Sequence, residues 1–111
     1  MIDDTDRIVM VASGFGLWRG GRHVGSARWA DVARISALTD AASAEPGVRV
    51  QVTLDTGMVL DLPESLPGWA AFLGIAAERL PGMPRLAAWR PTMAAPADAP
   101  RLLFERKGRA H

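Results

Sequence analysis

The chain has 111 residues, 49% of them hydrophobic and 23% charged, with a net charge of +1. That length suits one domain with a real core, the composition is globular rather than disordered, and the charge gives no long-range field for nucleic acid or an anionic membrane. The absence of cysteine excludes disulfides, thiolate metal sites and cysteine nucleophiles.

The first residues, "MIDDTDRIVMVASGFG", are acidic where a signal peptide carries a basic segment. No apolar run approaches the ~18 residues that a membrane span needs. We therefore expect a cytoplasmic protein that does not span a membrane, folded as a single domain over 1–111. Its core is expected within 6–106, with a frayed tail at 107–111.

"RIVMVA" (7–12) is a short β-branched run and predicts a strand. Ser13–Gly16 supplies a turn, and Leu17–Arg19 pairs back as a second strand. Gly20-Gly21 makes a tight hairpin to a returning strand, Arg22–Ala27. Trp29, Val32 and Ile35 then recur at every third position, which fits a helix or an irregular, bulged strand; periodicity does not choose between them. Thr39–Gly47, small and polar and closing on Pro-Gly, reads as a loop.

Val48, Val50, Val52 and Leu54 alternate with Arg49, Gln51 and Thr53, the period of a half-buried strand. Met58, Leu60 and Leu62 alternate in the same way, and Asp55-Thr56-Gly57 joins the two as a hairpin loop. Trp69, Phe72, Leu73, Ala76 and Leu80 then form one helical stripe. The helix is expected over Ser65–Leu80, with Ser65 as N-cap, Pro67 in the first turn, and Pro81-Gly82 as the stop. The following stretch to Arg101 holds four prolines and reads as extended and irregular. "RLLFER" (101–106) fits a final edge strand or a short helix.

Asp-Thr-Gly also occurs in dimeric aspartic proteases, whose two carboxylates share one proton. Here Met58 follows the glycine, and a hairpin turn accounts for all three residues, so an Asp55 hydrolase is a remote alternative. His23 and His111 do not form a metal-ligand pair. Neither a nucleophile elbow nor a phosphate loop is present. No catalytic residue, cofactor or metal is expected.

Arg19, Arg22, Arg28 and Arg34 cluster in sequence, interleaved with Trp18 and Trp29. Arginines beside aromatics can hold a phosphate or lipid headgroup. Trp89, in the proline-rich stretch, either packs across the helix or stands exposed as a partner contact.

Trp29, Val32, Ile35, Glu64, Gly68, Trp69, Leu80, Pro81, Gly82 and Trp89 together resemble a group of small, uncharacterised bacterial domains. In those, a Trp-x-x-Val-x-x-Ile strand, a hairpin, a Pro-Gly-aromatic helix start and a Leu-Pro-Gly helix end follow in this order. The resemblance implies a pleckstrin-homology-like layout and carries no established activity.

The expected fold is α+β: a bent antiparallel sheet or partly open barrel of about six or seven strands, capped by one amphipathic helix. Val50, Val52, Leu54, Leu60, Trp69, Phe72, Leu73 and Leu80 should form its core. The leading functional expectation is a non-catalytic module for a protein partner, an immunity-type role being one form of it. The alternative is an anionic-lipid or phosphate-headgroup binder using Arg19, Arg22, Arg28 and Arg34. The site candidates are those four arginines and Trp89.

Overall fold

The computed structural model describes residues 6–40, 47–93 and 101–106. The chain opens with a meander of three strands, β1 (Arg7–Val11), β2 (Gly14–Arg19) and β3 (Arg22–Arg28). A 3-10 turn at Trp29–Asp31 leads into β4 (Val32–Asp40), then β5 (Gly47–Leu54) and β6 (Val59–Pro63). Helix α1 (Trp69–Arg79), a one-turn helix α2 (Leu86–Trp89) and a 3-10 turn at Arg90–Thr92 precede β7 (Arg101–Glu105). The strands form two open antiparallel sheets, ordered β1-β2-β3 and β6-β5-β4-β7.

The fold is thus α+β with seven strands among the described residues. Two sheets replace the single bent sheet expected, because the 3-10 turn interrupts the chain between β3 and β4. The same turn explains the spacing of Trp29, Val32 and Ile35. Trp29 is on the turn, and Val32 and Ile35 are on β4, whose register to β5 shifts between Val32 and Arg34. A 3-10 turn repeats every three residues, and a bulge lets two residues oppose one. Together they imitate a helical period.

Other boundaries also move. Only Ala12 and Ser13 separate β1 from β2, with Val11 facing Gly14 across the hairpin. Gly20 and Gly21 both have positive φ, 61° and 77°, the requirement of the two-residue turn that matches strand twist. Thr39 and Asp40, expected in a loop, pair with Val48 and Gly47. Helix α2 occupies part of the segment expected to be irregular. The remaining loop at 41–46, the proline-rich stretch at 94–100 and the tail at 107–111 lie outside the described residues.

Helix α1 begins at Trp69, four residues later than Ser65 suggested, and Ser65 does not cap it. Leu66–Gly68 is instead a turn, with the Leu66 N–H donating to the Pro63 carbonyl at 2.9 Å and the Trp69 N–H to the Leu66 carbonyl at 3.0 Å. The Pro67 carbonyl is used by β1, accepting from the Ile8 N–H at 2.9 Å. Gly68 is the N-cap at φ 91°, and a Cβ there would sit 2.7 Å from the Ile8 carbonyl oxygen. Glycine alone fits both the backbone and the space.

Every expected core residue is buried, with Leu54 the most exposed of them at 6%. The helix drives its stripe into the sheets: Phe72 makes an edge contact with Phe15 of β2 and stacks on Trp29, at 4.8 and 5.4 Å between centroids. Trp69 donates its Nε1–H to the Leu62 carbonyl at 2.9 Å, which ties α1 to β6.

Two glycines in and beside this helix should respond oppositely to alanine. Gly68→Ala should destabilise by at least ~1–2 kcal/mol, from the left-handed conformation and the contact with Ile8. Gly74→Ala, with nothing within 4 Å of the new methyl, should stabilise by about 0.5–1 kcal/mol through helix propensity. Urea denaturation of both variants checks the signs.

Candidate functional site

The expected arginine cluster is not a cluster in space. Arg19 and Arg22 face one another across the Gly20-Gly21 turn. Arg28 is at the other end of β3, about 20 Å along the strand, and Arg34 is on β4 in the second sheet. Three of the four are held by carboxylates: Arg19 by Asp6 at 3.6 Å, Arg28 by Asp31 at 3.4 Å and Arg34 by Glu105 at 3.0 Å. Arg22 alone stays exposed without such a bridge among the described residues.

Trp89, the other candidate, is a core residue. It is 2% exposed and meets Trp69 edge-on at 6.3 Å, so it offers no partner contact. The reason is helix α2, which turns its indole inward. Asp55 is exposed in the β5–β6 turn. The Gly57 N–H closes this turn on the Leu54 carbonyl at 2.9 Å.

A cleft of about 480 Å³ lies between the end of α1 and β7, lined by Pro81, Gly82, Leu103, Phe104, Glu105 and Arg106. Its charged groups are committed to the fold. Arg106 donates from Nε to the Val32 carbonyl at 3.0 Å and from Nη2 to the Trp29 carbonyl at 3.1 Å. Glu105 accepts from Arg34.

What remains is the edge of the second sheet. β6 pairs with β5 in an unbroken register, from Thr53↔Val59 to Arg49↔Pro63. The Leu54 N–H donates to the Met58 carbonyl at 2.8 Å and the Glu64 N–H to the Val48 carbonyl at 2.9 Å. These two bonds fix the phase. The antiparallel ladder alternates, so Met58, Leu60, Leu62 and Glu64 turn their backbone groups to β5. Val59, Asp61 and Pro63 turn theirs away.

Among the described residues no other strand pairs with that outer side. Met58 and Val59 at its start are 45% and 52% exposed. The Asp61 side chain, 40% exposed, accepts from the Arg49 Nε at 3.1 and 3.3 Å and from its Nη2. The other edges are guarded. β3 is bulged at Val24 and β7 at Leu103, where the registers skip a residue. β1 is engaged by Pro67 at Ile8.

Glu64 fixes the end of this edge. Its carboxylate accepts from Arg90 at 2.8 and 3.0 Å and from the Val48 N–H at 3.2 Å. The hydrogen bond from Arg90 holds the Glu64 carboxyl below the usual glutamate range, against a smaller opposing effect of burial. The same bond raises Arg90.

Sequence reasoning did not single out this edge, because strand pairing is not written in a local pattern. Met58 shares the inward parity of Leu60, and both side chains lie against Gly25 of β3. The signal was Val59, a β-branched apolar residue at the solvent-facing parity of an alternating strand. Among the described residues no helix is long and apolar enough to cross a membrane. Comparison with protein families, curated proteins and solved structures finds no match.

The Glu64–Arg90 pair predicts a pH dependence. Because the folded pKa is lowered, its contribution is present above the unfolded glutamate value of ~4.3 and is lost as pH falls through the folded value. Glu64→Gln should flatten the acid limb of the stability curve. At neutral pH it should cost about 1 kcal/mol or less, since the pair is more than a third exposed and screened. Urea midpoints measured across the acid range check both.

Proposed function

We propose that this chain is a non-catalytic binding module that recognises a protein partner by taking an extended segment of it onto the free edge of β6. The observation that carries this reading is the outward backbone of Val59 and Asp61 on an unbroken edge strand, with Met58 and Val59 exposed beside it. An added strand satisfies such groups. Its main-chain bonds supply affinity and its alternate side chains supply specificity.

In this reading the layout is pleckstrin-homology-like, a partly open barrel plugged by α1, and the protein works in the cytoplasm. The division of seven strands into sheets of three and four and the burial of Trp69 and Phe72 between them support the layout. The anionic-ligand reading is weaker, because the four arginines do not share one surface: they are spread over both ends of β3 and a second sheet.

Val59→Pro tests the reading. The Val59 N–H faces away from β5, so proline there leaves the β5–β6 ladder intact and removes only the outward donor. A pull-down from lysate of the source organism should recover a protein with the wild type. It should recover it equally with a variant in which Arg19, Arg22, Arg28 and Arg34 are alanine, and at least about tenfold less with Val59→Pro. Capture unaffected by the proline would sink the edge reading. Loss confined to the arginine variant would transfer the function to an anionic ligand.

A further inference from the structure

The β6 edge also carries a charge that selects what can lie on it. Asp61 stands at the middle of the strand on its solvent face, held from the β5 side by Arg49. Its other side faces the position that an added strand would take. Cross-strand neighbours on one face interact directly: opposite charges are favourable and like charges unfavourable, each by about 0.2–1 kcal/mol. Two residues back along β6, Val59 presents 52% of its surface on the same face.

Resting on the edge reading above, we infer that β6 selects an extended segment of the pattern basic-x-apolar, running antiparallel to it. The basic residue lies opposite Asp61, completing a cation–carboxylate–cation row with Arg49. The apolar residue, two positions later in the partner, lies opposite Val59. Val59 and Asp61 exchange main-chain bonds with the segment, which ends short of Pro63, whose carbonyl is taken by the Leu66 N–H.

A second copy of this chain fits poorly in the register centred on Asp61. Antiparallel pairing of two β6 strands about their middle sets Asp61 against Asp61. It also places Pro63, which has no N–H to give, opposite Val59. That register disfavours a second copy, and the charge of Asp61 points instead to a different polypeptide with a basic residue in an extended, apolar stretch.

Amide NMR titration of the full chain tests this with two capped peptides, Thr-Thr-Lys-Thr-Val-Thr-Thr and its counterpart with Glu in place of Lys. Both should perturb the Val59 and Asp61 amides, the lysine peptide binding about fivefold tighter. Asp61→Asn should bring the two affinities together, and Val59→Pro should abolish both titrations. Equal binding of both peptides at β6 in the wild type overturns the charge selection and leaves the edge reading standing. Titrations that leave the β6 amides unmoved overturn the edge reading itself. Concentration-dependent dimerisation that Val59→Pro abolishes assigns the edge to a second copy and overturns the inference.

Discussion

The indole of Trp29 lies where both sheets and the helix meet, and the placement of every other element follows from that corner. The ring stacks on Phe72 of α1 and packs against Phe15 of β2, at 5.4 and 5.1 Å between centroids. The backbone closes the same corner. The Trp29 N–H donates to the Ser13 carbonyl at 3.1 Å, and the Asp55 N–H to the Asp31 carbonyl at 2.9 Å. The Trp29 carbonyl accepts from the Val32 N–H within the turn, and Arg106 adds a second donor to it and one to the Val32 carbonyl at the start of β4. The guanidinium also lies 5.5 Å over the ring of Phe104. The Trp29 Nε1 is buried without a partner among the described residues. That omission costs about 1–3 kcal/mol, less than the ~3–5 kcal/mol lost on truncating a buried tryptophan.

The bare edge of β6 is a consequence of how the chain leaves that corner. Among the described residues after β6 the chain adds no strand beside it. The Gly68 turn sends α1 inward, where Trp69 bonds to Leu62 and Phe72 reaches the Trp29 corner. When the chain returns as β7 it pairs with β4, on the far side of the sheet. Glu64 and Arg90 tie the 3-10 turn after α2 to the end of β6, closing the segment that carries α1. The helix that completes the core thereby leaves one strand of the second sheet half-paired.

Much of this was legible where one physical signal dominated. Strict alternation in β5 and β6 marked the hairpin, and the stripe from Trp69 to Leu80 marked the helix and its burial. Signals failed where two local rules overlapped. At Trp29, Val32 and Ile35 a 3-10 turn and a bulged strand add up to a helical period. At Ser65 a favourable cap residue lost to the backbone demand of β1, which takes the Pro67 carbonyl and fixes Gly68 as the start of the helix. Trp89 sits among prolines and gave no period, so its burial depended on a contact with Trp69 that no local pattern encodes. The arginines of the candidate site were read by proximity in sequence. Their carboxylate partners, Asp6 and Glu105, lie far along the chain, and only the folded register brings them close.

An open edge strand exposes a protein to unwanted pairing, and the four edges of this fold answer that pressure differently. β3 and β7 carry bulges, and β1 gives its Ile8 N–H to Pro67. These devices blunt an edge whatever the side chains of the incoming strand. β6 has none of them in its middle, where its protection is the carboxylate of Asp61 alone. A charge differs from a bulge in kind. A bulge hinders every strand alike, whereas a carboxylate disfavours a strand that sets an acid opposite it and favours one that brings a base. Pro63 limits the length of any such pairing by withholding a donor at the end of the strand. An edge guarded by charge rather than by geometry is suited to selecting a partner, and that distinction separates β6 from the other three edges of the molecule.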